Sequence, residues 1–241
     1  MLKVLKLILI PLSYLIILYV FFSIGNIYPR YSYILMAIGS IFASLIIYLI
    51  FKKKVRVDGD GKNIKKLNLI QILRFAIYGS FSNVFLGDVA AFISKDFSDT
   101  FSPAMIGETI YTVFAAPISE EVIYRKLPYL YIQTIKDIRL RVFSYVTIVF
   151  VFVLSHDITS LNYSIITLIS SIIYFYVYIK YNNIVYSIIM HMFFNLISFI
   201  ERNIKIIDAI NIQILHFSVE VVFVLTIIIC LASKKKGDNR I

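Results

Sequence analysis

Apolar runs long enough to cross a bilayer, repeated along the chain and separated by short charged stretches, constrain this sequence more than any other feature. A helix of about 20 residues spans the hydrocarbon core. Runs of that order stand at 7–24, 31–51, 75–93, 161–179, 184–200 and 214–232. Two further spans are expected, one starting at Ser102-Pro103, with serine as cap and proline at the first helical position, and running past Tyr124, the other over 142–156. A composition of 60% hydrophobic and 16% charged residues, against roughly 45–50% and 25% in globular chains, excludes a soluble fold. The expected class is all-α: a polytopic integral membrane bundle of about eight transmembrane helices.

Charge fixes the expected orientation. Nineteen of the 24 basic residues fall on one side if both termini are cytoplasmic, most of them in the segments 52–66 and 125–141 and in the tail after Ala232. Positive residues collect on the cytoplasmic side, so a multi-pass protein of the cell membrane with both termini inside is expected. The formal charge of +10 is therefore a property of helix ends, and nucleic acid is not implied. The first run is too long for a signal-peptide core and no clear small-residue cleavage site follows, so it is read as an uncleaved helix. With no tryptophan, the 18 tyrosines supply the interfacial aromatic belt. The single cysteine, Cys230, leaves no internal disulfide and no paired-cysteine site. The loop 57–62 carries two aspartates and two glycines but lacks the later acidic ligands of a calcium loop.

Ionisable side chains inside spans are costly and point to function. Arg74, Asp88 and Glu108 lie within about two turns of a span end, where snorkelling accommodates them. His216 and Glu220, four apart on the last helix, can satisfy each other. A different pattern occupies three other helices, each of which presents a spaced pair. In Ser119-Glu120-Glu121-Val122-Ile123-Tyr124-Arg125, Glu121 and Arg125 share a face at i, i+4, with the acid first, the favourable order. Glu120 is turned about 100° away and has no such partner. A carboxylate neutralised by arginine makes a strut, whereas a desolvated and unpaired one retains the proton affinity that a general base needs. Phe152 and His156 form the second pair, His191 and Asn195 the third. Phe152 offers an apolar wall beside the imidazole, and Asn195 offers amide donors one turn beyond His191. At a rise of 1.5 Å per residue, Glu120, His156 and His191 lie roughly 24, 22 and 16 Å above the basic residues that end their helices, provided the fourth helix continues to about Lys136 with Pro128 as a kink. All three then meet near mid-membrane.

These residues resemble the CPBP intramembrane proteases, a family comprising type II CAAX prenyl endopeptidases and bacterial bacteriocin-processing or self-immunity proteins. Its motifs EExxxR, FxxxH and HxxxN/D appear in that order as Glu120-Glu121-x-x-x-Arg125, Phe152-x-x-x-His156 and His191-x-x-x-Asn195. The family's frequent glycine after the arginine is Lys126 here. The resemblance divides the chain into N-terminal helices at 1–102 (three spans), a catalytic core at 103–200, and a last helix with a basic tail at 201–241. It implies a glutamate-dependent endopeptidase acting on a membrane-embedded or membrane-associated peptide or protein. Glu120 would be the general base on a water also held by His156; His191 and Asn195 would stabilise the oxyanion; Glu121, Arg125 and Phe152 would support the site. No cofactor is implied.

Other readings use the same residues. Glu120, His156 and His191 could instead ligate zinc with an open position, although no HExxH motif is present. Buried carboxylates and histidines also serve proton-coupled transporters, though no inverted repeat is evident. A non-catalytic membrane scaffold or regulator is the third alternative. No serine stands in a GxSxG elbow, which disfavours a nucleophilic hydrolase. Nothing in the sequence distinguishes a prenylated substrate from a leader peptide or a pheromone precursor.

Overall fold

The computed structural model describes residues 2–52, 67–94, 106–156, 158 and 160–204. Among these there is helix and no strand. The elements are α1 (Leu2–Ile27), a 3₁₀ turn (Pro29–Tyr31), α2 (Ser32–Lys52) and α3 (Leu69–Ser94), followed by a continuous but irregular helical run. That run comprises α4 (Ile106–Thr109), a π turn (Ile110–Ala115), α5 (Ala116–Glu121), a second π turn (Val122–Lys126) and α6 (Leu127–Gln133). Then come α7 (Ile138–Leu154), α8 (Leu161–Tyr181) and α9 (Ile184–Ile204).

Local chemistry sets the ends. Asp137 caps α7 by accepting from the N–H groups of Arg139 (2.8 Å) and Leu140 (3.4 Å). Ser160 caps α8, accepting from Tyr163 N–H at 3.4 Å. Asn182 closes α8 in the left-handed region at φ 47°, a conformation asparagine tolerates, and its N–H reaches Tyr178 O at 2.8 Å. Asn183 then opens α9 through its side-chain oxygen on Val185 N–H at 3.0 Å. The short link through Asn182 and Asn183 forces α8 and α9 to run antiparallel.

Among the described residues, three helices are long and apolar enough to cross a membrane: Leu7–Ile27, Pro29–Phe51 and Tyr163–Tyr181, with Ile184–Ile200 a shorter apolar helix. Their outward faces are apolar, as at Ile16, Val20, Leu45, Leu49 and Ile172. Lipid is the solvent such faces require, and the chain is a membrane protein. The helices outrun several of the expected runs, α3 starting at Leu69 rather than at 75, and two differences bear on the site. The helix expected over 142–156 begins at Ile138 and ends at Leu154, because Asp137 caps it four residues early and Ser155 closes it with its hydroxyl on Phe152 O at 2.7 Å. His156 therefore stands just past the helix end. The fourth helix ends at Gln133, slightly short of Lys136. Its expected start at Ser102-Pro103 lies outside the described residues, as do the loop 57–62, the run 214–232, His216, Glu220 and Cys230.

The main core joins Leu7, Ile10 and Tyr14 of α1, Ala43 and Ile47 of α2, the inward face of 123–132, and Ile148 and Phe152 of α7. A second cluster joins Phe75 of α3 to Tyr174 and Val177 of α8 and to Tyr186 and Met190 of α9. Gly79 explains how closely α3 approaches α9, since a Cβ there would fall on the carbonyl oxygen of Met190, the residue before His191.

Candidate active site

Prolines shape the helix that carries the two glutamates. In the first π turn the N–H of Ala116 bonds to Tyr111 O, five residues back. The next carbonyl in that register, Thr112 O, would need the N–H of Pro117, which has none. Asn195 fills the gap, its Nδ2 donating to Thr112 O at 2.7 Å. The second π turn repeats the logic, with Leu127 N–H on Val122 O just before Pro128. Glu120 and Glu121 thus sit at the end of a six-residue α segment between two π turns, a distortion frequent at functional sites.

The two adjacent carboxylates have opposite surroundings. Glu121 is fully buried and its Oε1 lies 3.3 Å from Arg125 Nη1 and 3.0 Å from His191 Nδ1. Its Oε2 accepts from Ser187 Oγ, which also lies 3.2 Å from Tyr174 O. Arg125, equally buried, donates from Nη2 to Ser171 Oγ at 3.3 Å, and its Cζ lies over the Phe152 ring, 3.9 Å from the centroid. A desolvated guanidinium gains from a ring face, and Phe152 so supports Arg125 as well as His156, whose ring is 4.3 Å away. Glu120 has no arginine. Its Oε2 lies 3.7 Å from His156 Nε2 and 3.9 Å from His191 Nε2, and its side chain is 15% exposed.

Hydrogen accounting settles what the imidazoles present. His156 Nδ1 lies 2.8 Å from Phe152 O, and a carbonyl can only accept, so that nitrogen carries the hydrogen. His191 Nδ1 faces a carboxylate already served by an arginine and a hydroxyl, so it too donates. Both Nε2 atoms are left facing Glu120 Oε2. The ring of Tyr174 stacks on His191 at 4.8 Å and 25°, fixing its plane. The three pairs expected from spacing thus occupy one place, with Asn195 engaged on the neighbouring π turn.

Sequence reasoning missed several participants. Glu120 has Tyr124 one turn on, whose ring packs edge-on against those of Phe152 at 5.0 Å and Tyr14 at 6.4 Å. Among the described residues, the buried hydroxyls of Tyr124 and Tyr174 find no hydrogen-bond partner of normal geometry. Ser187, one turn before His191, was findable from i, i+4 spacing but is indistinguishable from any other serine. Arg74 lies on the exposed side of α3 and Glu108 on α4, and neither joins the cluster; Asp88 lies on α3.

Glu120, His156 and His191 are the side chains a metal would require, and two imidazoles with one carboxylate are a known zinc donor set. Among the described residues, however, no group of three or more histidine, cysteine, aspartate or glutamate side chains is disposed to hold a metal ion.

The Asn195 contact makes a prediction independent of chemistry. Asn195→Ala strands a partly buried helix carbonyl, at a cost of up to ~1–3 kcal/mol, so the thermal midpoint of the detergent-purified protein should fall. An unchanged midpoint would show that Thr112 O is satisfied without this amide.

Residues 102–197 match the family model described as type II CAAX prenyl endopeptidase Rce1-like. No curated protein and no solved structure matches the chain.

Proposed function

We propose, from the premise that residues 102–197 belong to the Rce1-like family of CPBP proteases, that this membrane protein is an intramembrane endopeptidase with Glu120 as general base. Family membership carries protease activity of the CAAX type; the assignment of the base rests on one observation. Glu120 Oε2 converges with the Nε2 atoms of His156 and His191 while each Nδ1 is already committed.

A water between these groups donates one hydrogen to Glu120 and the other to His156 Nε2. Glu120 takes a proton as the water oxygen attacks the scissile carbonyl, and the same proton passes to the amine as the C–N bond breaks. The tetrahedral oxyanion needs donors. Asn195 has one N–H beyond the one on Thr112 O. His191 donates from Nε2 when it carries both protons, and its Nδ1 stays on Glu121 as it does so. The substrate is a membrane-embedded or membrane-associated peptide or protein. The eight-span arrangement, the cell-membrane location and the cytoplasmic termini remain parts of this proposal, supported by the segregation of basic residues.

Comparative peptidomics of membranes from cells expressing the wild type or Glu120→Ala tests the reading. Fragments present only with the wild type are expected, and they identify the cleavage site. Identical peptide sets would leave a scaffold or a transporter as the better account.

The zinc reading makes a separate prediction. If water is held by side chains alone, prolonged phenanthroline treatment of detergent-purified protein should leave turnover unchanged. Near-stoichiometric zinc, lost together with activity and restoring it on return, would instead make His156 and His191 ligands and defeat the metal-free mechanism, with Glu120 either the third ligand or the base.

A further inference from the structure

A chain of buried hydroxyls connects the first two helices, which lie outside the family match, to the residue next to Glu120. Tyr14 Oη on α1 lies 3.0 Å from Ser40 Oγ on α2. Ser40 Oγ lies 2.6 Å from Ser119 Oγ on α5, and Ser119 Oγ lies 2.8 Å from Ala115 O. Ser40 and Ser119 have no exposed surface, and Tyr14 is 2% exposed. Each hydroxyl has one hydrogen, which sets the direction. Ser119 donates to Ala115 O and Ser40 to Ser119, with Ala115 O a longer second acceptor for Ser40 at 3.4 Å; with the Ser40 hydrogen placed on either, Tyr14 donates to Ser40. The phenol hydrogen of Tyr14 is thereby committed to Ser40, while its ring packs edge-on against Tyr124 at 6.4 Å.

We propose that Tyr14 and Ser40 are positioning residues for the general base, acting through Ser119 as a rotational clamp on α5. The inference rests on Glu120 being that base. Its physical reason is the pair of π turns. Flanked on both sides by i→i+5 turns, α5 is not keyed to its neighbours by the regular i→i+4 ladder, and side chains must fix its rotation about its own axis. Three contacts around the segment do this: Asn195 on Thr112 O, the partners of Glu121, and the hydroxyl chain on Ser119. Only the last pulls from the side of α1 and α2. With a carboxylate about 6 Å from the helix axis, a 10° rotation moves it by about 1 Å, and a misplacement of that size can cost ~100-fold in rate.

A double-mutant cycle of Tyr14→Phe and Ser119→Ala tests this, with a peptide spanning the cleavage site found in the Glu120-dependent products as the activity probe. Phenylalanine keeps the ring against Tyr124 and removes one hydrogen. Each single variant should lower kcat by about 10- to 100-fold with KM within about twofold, since the chain orients the base rather than holding substrate. The double variant should be no slower than the worse single, because Tyr14 reaches Ser119 only through Ser40 and either change alone breaks that path, leaving Ser40 its longer contact with Ala115 O. The same cycle on thermal midpoints, repeated in a Glu120→Gln background, should be non-additive with turnover removed. Additive midpoints would show that the chain does not exist and overturn the inference outright. Coupled midpoints with Tyr14→Phe at wild-type kcat would reduce the chain to helix glue and overturn it too, while leaving the protease reading intact. If Glu120→Gln itself retains full turnover, the base assignment fails instead, and the midpoints still report the chain separately.

Discussion

Glu120→Gln is expected to lower turnover at least ~100-fold while leaving the fold and the thermal midpoint close to wild type. Glutamine keeps the size of the side chain and can donate from its amide to either Nε2 that faces it. What it loses is the ability to accept a proton from water. The fold should tolerate the change because Glu120 has no arginine partner, keeps 15% of its side chain exposed, and meets the histidines only at 3.7 and 3.9 Å. Removing its charge leaves Glu121 and Arg125 balanced against each other, so no buried ion is orphaned. Turnover of the identified peptide, measured beside the thermal midpoint of the same preparation, checks both halves. Turnover within a few-fold of wild type would remove Glu120 from the chemistry.

How much of this was legible in the sequence depended on spacing. Membrane class followed from run lengths, because lipid tolerates few charges and those present stand out. Three i, i+4 pairs named Glu121 with Arg125, Phe152 with His156, and His191 with Asn195, and all six side chains lie around one centre in the structure. Asn195 illustrates where spacing stops. Its position one turn beyond His191 offered amide donors, which the resemblance assigned to an oxyanion, but its nearest partner is a carbonyl freed by Pro117 on another helix. Proline-containing helices advertise a break, and both Pro117 and Pro128 were visible; whether the backbone answers with a kink or a π turn depends on neighbours that no local pattern encodes. Tyr14, Ser40, Ser119 and Ser187 were silent for a different reason. A hydroxyl in an apolar run bonds equally well to its own helix at i−4, as Ser13 does with Leu9 O at 2.7 Å. Only packing decides which hydroxyls face a partner.

The neighbouring glutamate should behave in the opposite way. Glu121→Gln is expected to destabilise the protein by ~3–5 kcal/mol, because it leaves the guanidinium of Arg125 buried without an opposite charge. Both side chains have no exposed surface, so water cannot replace the lost partner. The amide also disturbs two further contacts: one oxygen must still accept from His191 Nδ1 and the other from Ser187, and glutamine has only one oxygen for both. Against a total stability of roughly 5–15 kcal/mol, such a loss should appear first as poor yield and a lowered midpoint in detergent. Any activity loss in the surviving protein then follows from a misplaced His191 as well as from unfolding. The pair can be separated from the site by a compensating change. In Glu121→Gln with Arg125→Met, no charge is left unpaired and a flexible apolar chain lies against Phe152, so part of the midpoint should return. Turnover should not return with it, because His191 Nδ1 would still lack its carboxylate. A Glu121→Gln protein as stable as wild type but inactive, paired with a stable and active Glu120→Gln protein, would exchange the roles assigned to the two residues.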